Sequence, residues 1–477
     1  MNIHKYLKKL GHDTVTGSFY RYIRIWESYY RGSVKGFHNY RVYNGKTYTR
    51  QKRYSLGMAK KTCEDMADLL LNEHVGIVLE DDASQAFVDA VLKDNDFWIK
   101  GNEYQERKSY SGTVAYVPHL QGAIIDELGN VTGGSICINY VSAQDIYPIT
   151  WNNGYVTECA FAFHHTIQGH EYDHIQLHLL KNTENGAEYV IENHIVQVNG
   201  NSDGGTEVDP SRWGELGELA HMAQTVRTGS SERQFVIDRL NIVNSVQEDN
   251  PMGMAVFANS LDQLRSIDVV YDSYVNEFVL GKKRIYTTPE MLSVDMLGNP
   301  VFDPNDVVFY MLPEEMKADN KPIIESNMTL RSSEHNAALN DMLNILSVKT
   351  GFGTKHYKFE SGNVATATQV ISENSDMFRT LKKHEIILEA VLIELIEIIL
   401  RLGVVAGADV DTSTNITVAF DDSIIEDKTA ERERDRQDVS IGAMRLEEYR
   451  AKWYNEDLDE AKTKIVTESI EPDLLEE

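Results

Sequence analysis

From Asn363 to Leu402 the chain reads NVATATQVISENSDMFRTLKKHEIILEAVLIELIEIILRL, with no glycine or proline until Gly403. At about 1.5 Å per residue such a run makes a helix roughly 60 Å long. Helices of about three turns are usual in globular domains, so the architecture requires a long strut. A glycine-punctuated segment, KTGFGTKHYKFESG (Lys349–Gly362), leads into it and predicts a mobile loop at its base. The strut has two halves. Val364–Lys383 is mixed and polar, with Val370, Ile371, Met377, Phe378 and Leu381 irregularly spaced, whereas Ile386–Leu402 is apolar almost all round and predicts burial. The second half approaches the length that a bilayer requires. Glu389, Glu394 and Glu397 argue against a span, because carboxylates are expensive at membrane depth. Glu397 and Arg401 also stand at i,i+4, the spacing of an ion pair on a solvated or interfacial helix.

A chain of 477 residues has room for two to four structural units and a substantial core. Cys63, Cys137 and Cys159 are widely spread, which gives neither a disulfide framework nor a zinc spacing and suits a reducing compartment. The opening MNIHKYLKKLGHDTVTG has no apolar stretch of signal-peptide length, so secretion is not expected. The net charge of −28 is unevenly placed: residues 1–62 hold 14 Lys/Arg against Asp13 and Glu27, a local +12, and the other 415 residues carry −40. A basic, tyrosine-rich arm therefore precedes an acidic body. Such an arm docks on acidic surfaces of its own body or of neighbouring subunits, the reading we favour, or it meets an acidic partner or nucleic acid. The acidic body would repel DNA, so the whole protein is not expected to bind it tightly.

The order of elements follows from hydrophobic periodicity. Ser55–His74 has an amphipathic helical pattern (Met58, Met66, Leu69, Leu70), and Ala83–Leu92 reads as a short helix. From Thr113 to Val198 the texture changes to β-branched or alternating runs separated by turn residues, which predicts an antiparallel sheet region. Asn199–Arg212 reads as a loop, Pro251–Leu280 as a helix stopped at Gly281, and residues 285–325 as a compact α/β insertion. Leu330–Val348 is helical again, Asn415–Phe420 is strand-like, and Asp427–Thr467 is a charged helical tail. The fold class is α+β.

One enzyme motif stands out. His170-Glu171-Tyr172-Asp173-His174 matches HExxH, which on a helix would aim two imidazoles at Zn²⁺ with the glutamate as general base. His164, His165 and His178 crowd around it. The following HIQLHLL alternates as a strand, however, and no third ligand stands at a helical spacing downstream, so no metal is expected. No phosphate-cradling G-x-x-x-x-G-K-[ST] loop and no G-x-S-x-G elbow occurs. A zinc-dependent hydrolase built on this motif is the alternative reading; the main expectation is a non-enzyme without a cofactor.

Three stretches in order carry a family resemblance: KKTCEDMADLLLNEHVGI (Lys60–Ile77), NPMGMAVFANSLDQLRSIDVVYDSY (Asn250–Tyr274) and ATATQVISENSDMFRTLKKHE (Ala365–Glu385). Together with the element order over nearly the whole length, they resemble the portal, or head–tail connector, proteins of tailed bacteriophages, in particular siphoviruses infecting Gram-positive bacteria. The resemblance implies wing, stem, clip and crown parts in a ring of usually twelve subunits around a tunnel for double-stranded DNA. By position, 1–250 would be wing with the basic arm, 251–281 and 329–348 stem helices, 282–328 clip, 349–362 tunnel loop, 363–403 the long wing helix, and 404–477 the end of the wing and the crown. Implied partners are terminase, a head–tail adaptor, and scaffolding and major capsid proteins, with no membrane; the implied place is the portal vertex of the virion after assembly in the host cytoplasm. A conduit should not clamp phosphates, and the first stem-like helix carries Asp262, Asp268, Asp272 and Glu277, with Arg265 its only basic residue before Lys282. The tunnel loop instead carries Lys355, His356 and Lys358, which around a ring would form a positive collar.

Overall fold

The computed structural model describes residues 2–72, 75–125, 131–183, 186–198, 205–220, 222–281, 284–287, 293–294, 296, 300–301, 309–311, 323–326, 329–357, 367–420, 428–454 and 457–464. Its helices are α1 (Ile3–Lys9), α2 (Phe19–Tyr30), α3 (Met58–Leu70), α4 (Asp82–Asp94), α5 (Phe97–Ser111), α6 (Leu261–Leu280), α7 (Ser332–Thr350), α8 (Ala367–Ala406), α9 (Lys428–Ser440), α10 (Leu446–Tyr454) and α11 (Leu458–Thr463). Antiparallel sheets fill the N-terminal half, as the turn-separated alternation predicts. Strands Ile146–Asn152, Tyr155–Ile167, His170–Thr183, Gly186–Val198 and Gly205–Glu207 follow one another as neighbours, and Thr225–Arg227 also pairs with Gly186–Val198. Thr113–Gln121 forms the middle of a second sheet, between Val236–Arg239 and Ser135–Ser142.

The basic arm is largely structured. In α2, Phe19, Tyr20, Ile23, Trp26 and Tyr29 recur at helical spacing and are buried, which fixes the arm to the core through apolar area rather than charge. Between α2 and α3 the chain makes an antiparallel hairpin, Asn39–Tyr43 with Tyr48–Lys52. Helix α5 escapes the hydropathy pattern because its buried side includes Gln105, Lys108 and Ser109 alongside Phe97. It stops at Gly112, whose φ of 85° is a left-handed cap.

Helix α8, of 40 residues, is the predicted strut with its C-terminal end shifted. Residues 363–366 lie outside the described residues. At its other end the expected stop, Gly403, lies inside the helix. It is small because Phe87 packs against it: a Cβ there would lie 2.7 Å from the ring. The true terminator is Gly407, at φ 90°. The apolar half is buried as expected, with Leu388, Val391, Leu392, Leu395, Ile396, Ile398, Ile399 and Leu400 in the core, while Ile386 is exposed. The expected Glu397–Arg401 pair does not form; Arg401 donates to the carbonyl oxygen of Arg233 (3.2 Å). It is Glu394 that is matched, by a forked contact from the buried Arg233 at 2.5 and 2.6 Å. Among the described residues no helix is long and apolar enough to cross a membrane.

The helix expected from Pro251 begins only at Leu261. Met252, Met254, Ala255, Val256 and Phe257 form a buried apolar plug instead. Their backbone bonds elsewhere: Gly253 N–H donates to Thr113 Oγ1 (2.8 Å) and the Met252 carbonyl accepts from Asn244 (2.9 Å). The Gly112 and Gly253 backbones touch so closely that a Cβ on Gly253 would stand 2.1 Å from the Gly112 carbonyl oxygen. Of the insertion after α6, the described residues show Arg284–Thr287 between Phe309–Met311 and Ile323–Ser326, and Ser293–Val294 paired with Pro300–Val301. The strand expected near Asn415 is Ile416–Ala419, paired antiparallel with Gly76–Leu79.

Candidate functional site

Helices α6 and α7 pack together, and α7 ends in a turn, residues 351–357, whose Gly351 lies against Thr380 of α8. The four acids of α6 have different environments. Asp262 is exposed in the first turn. Asp268 faces inward: it is buried and accepts from His38 Nε2 (2.8 Å), Ser55 Oγ (3.1 Å) and Leu56 N–H (2.8 Å). The helical pattern that puts it on one stripe with Asp272 cannot reveal that the arm crosses this stripe. Asp272 accepts from Tyr54 N–H (3.0 Å). Glu277 accepts from the Arg331 guanidinium (3.0 Å), the Arg331 N–H (3.1 Å) and His335. Arg331, with help from His335, holds its carboxyl down at about 2. Three of the four carboxylates thus have partners within the chain, and Asp268 contributes no charge to an open surface.

The described half of the glycine loop is anchored rather than loose. Gly351 has φ 88°, and a Cβ there would lie 2.6 Å from Thr380 of α8. The Gly353 carbonyl accepts from Ser347 Oγ (2.6 Å). Phe352 and Tyr357 are buried, and the His356 ring stacks on Phe352 with centroids 4.8 Å apart. His356 Nε2 reaches Asp65 of α3 at 3.3 Å. Burial would raise the Asp65 carboxyl, but His356 and Lys61 outweigh it and the net direction is down. Lys355 is exposed at φ 69°, and its N–H donates to Asn344 (2.9 Å). Lys358 lies outside the described residues. The loop therefore presents Lys355 from a fixed turn at the junction of α3, α7 and α8.

The HExxH match lies on the His170–Thr183 strand, so the helical geometry of that motif does not exist here and the hydrolase reading loses its basis. His164, His174 and His178 make separate contacts. His174 bonds Asn193 (2.8 Å), and burial pushes it down to about 4; burial pushes His178 down to about 3. His164 instead bridges Asp145 (3.1 Å) and Asp173 (2.7 Å), whose hydrogen bonds raise it to about 10. Among the described residues no His/Cys/Asp/Glu group could hold a metal. A raised histidine favours the fold below its unfolded value near 6.5 and ceases to do so as pH rises toward 10. Accordingly, His164→Gln lowers the melting temperature at pH 6 and leaves it unchanged at pH 10.5; an equal loss at both would show that the bridge is not ionic.

The family model for the phage portal protein, SPP1 Gp6-like, matches residues 17–471. The chain belongs to this family of bacteriophage head–tail connectors, which is structural rather than enzymatic. No curated protein matches. Among solved structures the chain is similar to one from the neck of a native GTA particle computed with C12 symmetry, at 9% identity and a TM-score of 0.36, over 82% of this chain and 88% of that one.

Proposed function

We propose that the protein is the portal of a tailed phage, of the type found in siphoviruses of Gram-positive hosts. It assembles in the host cytoplasm as a ring of twelve and occupies one capsid vertex of the virion. Double-stranded DNA passes inward through it during packaging and outward during ejection. Residues 1–250 serve as wing, 251–281 and 329–348 as stem, 282–328 as clip, 349–362 as tunnel loop, 363–403 as long wing helix, and 404–477 as end of wing and crown. The clip receives terminase and later the head–tail adaptor, and the wing meets scaffolding and major capsid proteins. The observation that carries this reading is the family match over residues 17–471.

The packed α6–α7 pair, with the turn at residues 351–357 set against the 40-residue helix α8, supports it as a wall with a ledge. Asp262 and the partly screened Asp272 and Glu277 make a wall with little affinity for phosphates, and Lys355 with Lys358 supplies the contact point. Negative-stain microscopy of the pure protein should show rings with a central hole; monomers at micromolar concentration in every salt would sink the proposal. In the assembled particle, Lys355→Glu with Lys358→Glu should spare rings and reduce packaged DNA. Unchanged DNA per particle would remove the contact role.

A further inference from the structure

The Asn39–Lys52 hairpin separates its residues by face. In its register Asn39, Arg41 and Tyr43 stand opposite Lys52, Arg50 and Tyr48. Directly opposed residues share a face, so one side is arginine, lysine, asparagine and tyrosine, and the other is Tyr40, Val42, Thr49 and Gln51. All six residues of the first face are exposed, with Tyr43 and Tyr48 at 58% and 67%. Two guanidiniums directly across a ladder repel each other, and among the described residues neither Arg41 nor Arg50 has an anionic partner.

The hairpin is also held in place. Asp268 binds both its roots, through His38 on one side and Ser55 with Leu56 on the other. Arg53 covers the Phe37 ring at 4.3 Å and the Tyr40 ring at 5.0 Å. The turn is closed by Asn44, whose Oδ1 accepts from Lys46 N–H (3.0 Å) and Thr47 N–H (2.8 Å). A rigid, solvent-facing cationic surface loses little entropy on meeting an anionic one.

A complementary surface lies elsewhere on the same chain. Among the described residues, Glu80, Asp81, Asp82 and Asp89 lie within 75–92 and Asp409 and Asp411 within 403–420, with no Lys or Arg in either stretch. The strand pair Gly76–Leu79 with Ile416–Ala419 brings the described parts of these stretches together, and Ser84 Oγ accepts from Asp411 N–H (2.9 Å). Asp82 and Asp409 are exposed there. Within one chain no ion pair among the described residues joins this corner to the hairpin.

We infer that the Arg41/Arg50 face of the hairpin docks on the acidic corner of a second copy of this chain. Two different patches meeting between copies form a head-to-tail contact, which closes into a ring or continues as a filament according to the rotation. The same contact offsets the repulsion between copies that each carry −28. The inference deepens the proposed ring.

The test uses the full chain. Arg41→Glu with Arg50→Glu changes only exposed side chains, so melting should stay within about 2 °C of wild type while self-association in sedimentation velocity weakens roughly tenfold or more. Asp82→Arg with Asp409→Arg should weaken it similarly, and mixing the two variants should restore one complementary contact. With Tyr48 replaced by the photo-crosslinker p-benzoylphenylalanine, the adduct should map to residues 75–92 or 403–420 of another copy. Unchanged assembly and salt dependence in the hairpin variant would overturn the inference while leaving the ring intact. So would Tyr48 adducts confined to its own chain or to added duplex DNA. Intercopy adducts without closed rings would uphold the contact and remove the ring.

Discussion

Lys108→Ala is expected to destabilise the protein by about 3–5 kcal/mol, read as a fall in the urea midpoint. Lys108 and Asp238 are almost wholly excluded from water, with the ammonium 2.9 and 3.1 Å from the two carboxylate oxygens. Gln105 donates to the same carboxylate at 2.7 Å. Burial pushes the ammonium of Lys108 down, and Asp238 pushes it back up. Truncating the lysine strands a carboxylate in the core, which costs far more than the pair itself contributes. The damage spreads because the pair joins α5 to the Val236–Arg239 strand, and α8 packs on that strand. His384 of α8 is buried nearby and accepts from Asn241 N–H at 3.0 Å. Lys108→Met with Asp238→Asn removes both charges and should recover at least about 1 kcal/mol of the loss. A single-variant cost below about 1 kcal/mol would mean that water or a relaxed side chain rescues Asp238.

Asp268→Ala is expected to cost about 3 kcal/mol, concentrated in the arm. His38 Nδ1 accepts from Val34 N–H (2.8 Å), so its Nε2 carries the proton that is donated to Asp268. The carboxylate thus collects three donors from both ends of the hairpin. Its loss leaves the buried Nε2–H without an acceptor and loosens residues 37–56 from α6, where the Tyr54 N–H bond to Asp272 remains. Hydrogen exchange of those amides should accelerate strongly while the Tyr155–Val198 strands stay protected. Exchange unchanged from wild type would show that aromatic packing and the Tyr54 bond to Asp272 suffice to hold the arm.

The long helix, the strand region, the pair α6 and α7 and the decoy motif were all legible, for one reason. Each is written in local periodicity or turn chemistry, and each is long enough to outweigh noise. The misses share a different cause. Helix α5 is hidden because its buried face is partly polar, satisfied by Asp238 from a strand more than a hundred residues away. The plug before α6 looks helical by composition, but tertiary hydrogen bonds to Thr113 and Asn244 outcompete the helix there. Gly403 looked like a stop, yet it is a packing glycine under Phe87.

The candidate site divides in the same way. The acidic stripe of α6 and the basic loop are visible as residue types in a row. Which carboxylates remain available to a passing polyanion is not, because that depends on what crosses them. The sequence by itself determined the long helix, the antiparallel body, the acidic balance with its basic arm, and the absence of helical context for HExxH. Only the tertiary structure decided that Asp268 is a latch, that the glycine turn is anchored by Phe352 and Tyr357, and that Arg41, Arg50 and Lys52 share one exposed hairpin face. Periodicity is a property of neighbours along the chain, whereas the partner of a buried charge is set by segments that meet only after folding.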